Sequence, residues 1–171
     1  ASQVATLQDA INQFTCAITV VPDESVPDNS TNVEQTELII DGLVPATIAS
    51  GEDLLALVKA SAPAGYNVTL ESVASAAGYY GTGATVKANV AELGGQTVAT
   101  YTVVIYGDVN GDGAVDAFDA AVLDLDLADV QALTGAYGLA ADTNADAQVA
   151  VADYTLVKDA IAGTASINQV R

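Results

Sequence analysis

Between residues 36 and 106 the apolar positions fall into short runs, rich in β-branched residues and set apart by glycine: TELIIDGLVP, YNVTLESV, ATVKANVAEL and TVATYTVVIY. Runs of this length bounded by turn formers predict strands. Earlier in the chain, TCAITVVPD reads as a further strand ended by its proline, and SQVATLQDAINQF as a short helix with Thr6 as N-cap and Asp9 three residues later. The polar, turn-rich ESVPDNSTNVEQ between them and the next strand reads as a loop or internal linker. SGEDLLALVKASA predicts a helix capped by Ser50, with Glu52 and Asp53 in the first turn, where the helix dipole favours acids. A turn at Pro63–Gly65 follows, and GYYGTG and GGQ read as loops between strands. Residues 1–106 are thus expected to form a β-rich module, α+β or β-sandwich-like, with one or two helices on the sheet.

At Gly107 the texture changes to Asp-rich loops and Ala/Leu-rich helices, and glutamate, present six times before that point, is absent after it. Two domains are expected, 1–106 and 107–171. The last strand runs directly into Gly107 with no Pro/Ser/Thr linker, so the junction is expected to be fixed.

The chain of 171 residues carries 22 acidic and four basic side chains, a formal net charge of −18. Phosphate binding needs basic residues, so nucleic acid is excluded as a natural partner, and an anionic membrane surface with it. No apolar run is long enough to span a bilayer. Histidine, tryptophan and methionine are absent and cysteine occurs once, at Cys16. An internal disulfide and a zinc site of ordinary ligands are therefore ruled out, and Cys16 is expected to be a buried small hydrophobe. No signal peptide is visible, as expected of a mature chain or of a fragment of something longer.

The acids are concentrated in GDVNGDGAVDAFD. Counting from Asp108, Asp108, Asn110 and Asp112 take the first, third and fifth places and Gly113 the sixth. Ala114 offers a carbonyl at the seventh, Asp116 can hold a water at the ninth, and Asp119 closes the twelfth. This is the spacing of the twelve-residue calcium loop, with aspartate in place of the final glutamate. Alternate residues of a tight loop aim hard oxygens at one centre, and a divalent cation relieves their mutual repulsion. Asp142, Asn144, Asp146, the Gln148 carbonyl and Asp153 stand at the same offsets thirty-four residues later, with Val115 and Val149 matching at the eighth place. The second copy departs from the pattern at Ala147, where glycine is expected, and at Ala150, which offers no side-chain oxygen. A chance acidic turn accounts for one copy far more readily than for two.

An ordinary helix–loop–helix hand would need a helix entering Asp108, but TVVIY reads as strand. A loop followed by a helix, occurring twice in GDVNGDG…D and DTNADA…D, resembles the dockerin family over residues 107 to about 165. GTGATVKANV and TYTVVIYGDVNGDG make residues 37–106 similar to the X modules that precede some dockerins; residues 1–36 are unassigned. The resemblance implies a small all-α dockerin with two calcium loop–helix motifs and two bound Ca2+. It implies a non-catalytic, extracellular attachment module that binds a cohesin on a scaffold or cell-surface protein of a polysaccharide-degrading complex. It further implies partner contacts from the tenth and eleventh loop places and the exposed face of the following helix. These are Ala117, Phe118, Asp124 and Leu125 in one half, and Val151, Ala152, Lys158 and Asp159 in the other. Phe118, Ala121, Val122 and Leu125 form an apolar stripe at helical spacing; Ala120, Leu123, Leu127 and Val130 form a second, and only one is needed to cover a core.

Catalysis is disfavoured. Without histidine or a Ser- or Cys-centred motif, general base chemistry falls to carboxylates, and the densest of these are accounted for as calcium ligands. No small-molecule substrate is expected. The alternative is a carbohydrate-binding or adhesion module stabilised by calcium, for which Tyr79 and Tyr80 could provide a stacking platform. A turn with one tyrosine packed on the sheet is the plainer reading of the pair. The sequons at Asn29 and Asn67 are short enough to arise by chance.

Overall fold

A computed structural model describes residues 20–22, 38–60, 68–91 and 94–171. The expected N-terminal helix, Cys16, the loop before residue 36, the Pro63–Gly65 turn and the sequon asparagines Asn29 and Asn67 lie outside the described residues.

The described strands are β1 (Val20–Pro22), β2 (Leu38–Ile40), β3 (Val68–Val73), β4 (Thr85–Val90) and β5 (Gln96–Val103). They form one sheet in the order β1-β2-β5-β4-β3. Of the two architectures expected for this part, the single sheet with a helix against it is the one present among the described residues. β3, β4 and β5 make an antiparallel meander, whereas β2 pairs parallel to β5, Leu38 opposite Tyr101 and Ile40 opposite Val103. β4 shows the alternation of a strand with one buried face: Val86, Ala88 and Val90 are buried, and Thr85, Lys87 and Asn89 are half-buried.

Helix α1 (Gly51–Ala60) starts as its sequence dictates. The Asp53 amide donates to Ser50 Oγ at 3.2 Å, and the Ser50 hydroxyl donates to Asp53 Oδ2 at 2.8 Å. Leu54 and Val58 drop from α1 into a core with Ile40, Leu43, Val86, Tyr101, Val103 and Ile105. A Cβ on Gly51 would stand 2.4 Å from Ser72 Oγ, so glycine is what lets this helix approach β3.

The chain from residue 107 onward contributes helices α2 (Ala117–Leu127), α3 (Ala136–Ala141) and α4 (Val151–Ile161). Their core, Val109, Leu123, Ala140, Ala141 and Val157, also takes in Ile39, Val104 and Tyr106 from the sheet side. This explains the unbroken apolar run TVVIY. Alternate residues of an extended chain point to opposite sides, so Val103 and Ile105 fill one core while Val104 and Tyr106 fill the other. A segment covered on both faces reads as a continuous apolar run.

The C-terminal segment returns to the same junction. The Gln169 side-chain amide accepts from Tyr106 N and donates to Tyr106 O, each at 2.8 Å. Gly42 N donates to Gln169 O. Arg171 N donates to Asp41 Oδ2 at 2.9 Å, and the Arg171 guanidinium lies 3.8 Å above the Tyr106 ring. Each such hydrogen bond is worth about 1 kcal/mol net.

With a shared core and no spacer at residue 107, the sheet and the helices are expected to move as one body. Small-angle scattering should be fitted by a single conformation, and a requirement for a broad range of angles between the two parts would refute this.

Candidate metal centre

The two Asp-rich loops match almost bond for bond. In the first, Asp119 Oδ1 accepts from Val109 N at 2.9 Å and Asn110 N at 3.2 Å, and its Oδ2 accepts from Asp116 N at 2.8 Å. In the second, Asp153 Oδ1 accepts from Thr143 N at 2.8 Å and Asn144 N at 3.1 Å, and its Oδ2 accepts from Ala150 N at 2.9 Å. Asn110 Nδ2 donates to Asp112 Oδ2 as Asn144 Nδ2 does to Asp146 Oδ2, both at 3.0 Å. Ala114 N and Gln148 N donate to Asp112 Oδ1 and Asp146 Oδ1, both at 2.9 Å. Gly113 N and Ala147 N donate to Oδ2 of Asp108 and Asp142, both at 3.0 Å. Val115 and Val149, at matched places, are half-buried against the helical core.

The ends of the loops are also helix starts. Asp116 caps α2, accepting from Phe118 N at 2.7 Å. Ala150 occupies the same place before α4 and has no side chain to do this. Asp119 and Asp153, fully buried, tie back to the N-cap backbone in both.

The backbone differs from expectation at one further position. Gly111 and Gly113 have φ of 80° and 84°, and their counterparts Ala145 and Ala147 have φ of 65° and 64°. The glycine missing at 147 is apparent from the loop pattern; the strain at 145 is not, because the fourth loop place carries no residue signature there. Each left-handed alanine costs roughly 1–2 kcal/mol.

Oxygen donors are what the loops supply, as a hard cation such as calcium needs. Carboxylate oxygens of Asp142, Asp146 and Asp153 lie within 4.8 Å of one another. Among the described residues, Asp108, Asp112 and Asp119 are not drawn into so tight a group. Asp108 has an additional partner instead: its Oδ1 accepts from Gly111 N at 2.8 Å, while its Oδ2 also accepts from Thr82 N, on the turn before β4, at 2.8 Å. Asp142 is instead 3.6 Å from Arg171 Nη1. Neither Thr82 nor Arg171 carries a sequence signal for this role, although the glycines flanking Thr82 hint at a close backbone approach.

Burial pushes the Asp119 carboxyl from its ordinary 3.8 to about 7; bonds from the Asp116, Asn110 and Val109 amides oppose the shift and the Asp108 charge adds to it. Asp108 is raised as well, chiefly by burial. At both positions burial makes the charged form of the carboxylate costly.

The residues expected to meet a partner are mostly on the surface. Phe118 is 71% exposed, Val151 67% and Leu125 41%. Ala117, Asp124, Ala152, Lys158 and Asp159 are exposed too, while Val122 is half-buried against the helical core. Of the two tyrosines in GYYGTG, Tyr80 packs against the sheet core, which leaves Tyr79 alone at the surface.

Residues 106–162 match the family described as Dockerin type I domain. The resemblance read from the two loops is thus borne out over that stretch. The chain is also similar to a solved structure, the third cohesin ScaC in complex with the ScaB dockerin from Acetivibrio cellulolyticus, the dockerin mutated in its N-terminal helix. Identity is 28%, over 38% of this chain and 92% of that one, with a TM-score of 0.36. No curated protein matches the chain.

Two predictions follow from the loop chemistry. Ala145→Gly and Ala147→Gly should each stabilise the protein by about 0.5–1 kcal/mol, the strain relief exceeding the entropy lost to glycine; denaturant unfolding that shows either change destabilising would count against it. In excess EDTA, the raised Asp119 value means that the fold holds this proton more tightly than the unfolded chain. The stability it brings is full below about 3.8 and lost as pH rises through about 7. The thermal midpoint in chelator should therefore fall across that window, and excess calcium should abolish or reverse the trend.

Proposed function

We propose that residues 107–171 form a dockerin and that residues 37–106 are the X-like module fixed to it. The boundary at 106/107 is where strand texture gives way to the first loop. On this reading Asp108, Asn110, Asp112, the Ala114 carbonyl, Asp116 and Asp119 would hold one Ca2+. Asp142, Asn144, Asp146, the Gln148 carbonyl and Asp153 would hold a second. The observation that supports it is the repetition of one hydrogen-bond scaffold in two loops thirty-four residues apart, inside the stretch that matches the family. The ions would neutralise seven loop carboxylates and make metal binding a part of folding. A dockerin does no chemistry; it is an attachment module, and its partner here is a cohesin on a scaffold or anchoring protein outside the cell. Among the described residues no helix is long and apolar enough to cross a membrane.

One half of the module would carry the contact. α2 presents Phe118 and Leu125 to solvent, where α4 has Ala152 and Asp159 at the matched places. Rotation about the internal pseudo-twofold would therefore offer a cohesin a different surface. Ala117 and Asp124 would border the apolar pair, Val122 would support it from below, and Val151, Ala152 and Lys158 would face away. Lys158 Nζ sits 5.2 Å from the Tyr154 ring centroid, which holds the ammonium close to its own helix.

Pull-down of candidate cohesins with and without EDTA tests the reading: capture in calcium and loss in chelator is the expected result. Exposed apolar anchors are worth ~2 kcal/mol each at an interface, so Phe118→Ala with Leu125→Ala should abolish capture while calcium-dependent helicity by circular dichroism survives. If Lys158→Ala alone destroyed capture and the apolar pair did not, the faces would be reversed. Helicity and thermal midpoint indifferent to calcium would sink the metal assignment.

A further inference from the structure

The two loops share a scaffold but are fastened to the molecule in different ways. Each hydrogen bond to Asp142, Asp146 and Asp153 described above comes from within the second loop, with Arg171 the added ion pair. The first loop is gripped from outside. Thr82 N donates to Asp108 Oδ2 at 2.8 Å, Ser75 Oγ donates to Gly111 O at 2.8 Å, and Ala46 N donates to Gly113 O at 2.7 Å. All three donors belong to the sheet part of the chain.

Thr82 is itself immobilised. Its hydroxyl accepts from Ile105 N at 3.0 Å and donates to Ile105 O at 3.2 Å, and the residue is fully buried. Beside it, Gly81 lies directly against the loop: a Cβ there would stand 2.3 Å from Gly113 N and 2.4 Å from Asp108 Oδ2. Those are the backbone of the sixth loop place and the carboxylate of the first. The turn therefore touches the loop at its first, fourth and sixth places, through a carboxylate oxygen, a carbonyl and a close backbone contact.

We propose that the turn from Ser75 to Gly83 is a positioning wall for the first loop, so that calcium affinity there is set in part by the sheet, while the second loop is independent of it. Of the three amides that fix the Asp108 carboxylate, one comes from the wall. With the wall in place the carboxylate and the turn at Gly111–Gly113 are ordered before any ion arrives, and the cost of ordering them is not charged to binding. Linkage makes the effect reciprocal: whatever the wall adds to calcium affinity, calcium adds to the docking of sheet on helices. Ser75, Gly81 and Thr82 are positioning residues, acting through Asp108 and the loop backbone. The inference rests on the reading of residues 108–119 as a calcium site.

The test is calorimetric calcium titration of the full chain in four forms: unchanged, Ser75→Ala, Gly81→Ala and Tyr79→Ala. Each is also made with Asp146→Ala, which disables the second loop so that the first is read alone. Ser75→Ala should weaken the first loop about three- to tenfold, the worth of one hydrogen bond. Gly81→Ala should weaken it further, the second loop should be unchanged, and Tyr79→Ala, on the same turn but facing solvent, should alter neither. Amide exchange at Gly111 and Gly113 in saturating calcium should accelerate in Gly81→Ala. If Gly81→Ala does not fold, Ser75→Ala, which removes only a hydroxyl, decides. First-loop affinity unchanged in both folded variants would overturn the proposal, as would equal weakening of both loops. An unchanged chain that takes up no calcium would overturn the underlying site assignment as well.

Discussion

A carboxylate removed from water costs several kcal/mol unless donors replace its lost hydration. Asp108, with no exposed surface, has three such donors, and they come from two different parts of the chain. That single requirement fixes much around it. The turn before β4 must bring a bare N–H to the loop, which is why Thr82 is preceded by Gly81, whose Cβ would otherwise stand 2.4 Å from Asp108 Oδ2. Residues 103–106 must be covered on both sides, because the strand that delivers Asp108 passes between the two cores. The segment ending at Arg171 then closes over Tyr106 and pairs with Asp142.

The internal repeat is faithful in hydrogen bonding and unfaithful in environment. The first loop is glycine-relaxed, gripped by the sheet and buried at Asp108; the second is exposed over Asn144 to Gln148 and strained at two alanines. The helices that follow diverge in the same sense, Phe118 and Leu125 against Ala152 and Asp159. One half is thus joined to the rest of the molecule by its loop and presents an apolar face on its helix. The other is tied through a cation at the far end of the chain.

Much of this was legible in the sequence because it depends on local chemistry. The loops are written in oxygen-bearing residues at alternate places, the start of α1 in Ser50 and Asp53, and the strands in β-branched runs. The parallel pairing of β2 with β5 was not legible, since nothing local to Leu38–Ile40 names Val103 as a neighbour. Nor was the grip of Thr82 on Asp108: a backbone N–H leaves no mark on residue type. The strain at Ala145 was hidden for the converse reason, alanine being a residue that ordinarily avoids that conformation. Val122 illustrates a partial signal. Its place in an apolar stripe was readable, but how far α2 is rolled toward the core depends on packing that the stripe alone does not fix.

The parallel pair and the returning C-terminal segment join positions far apart along the chain: Leu38 to Tyr101, Gly42 to Gln169, Asp41 to Arg171. Contacts of such long sequence separation form slowly, since a large loop must close before they repay it. The residues around Asp41 and Gly42 therefore wait, during synthesis, for the arrival of a segment some 130 residues later.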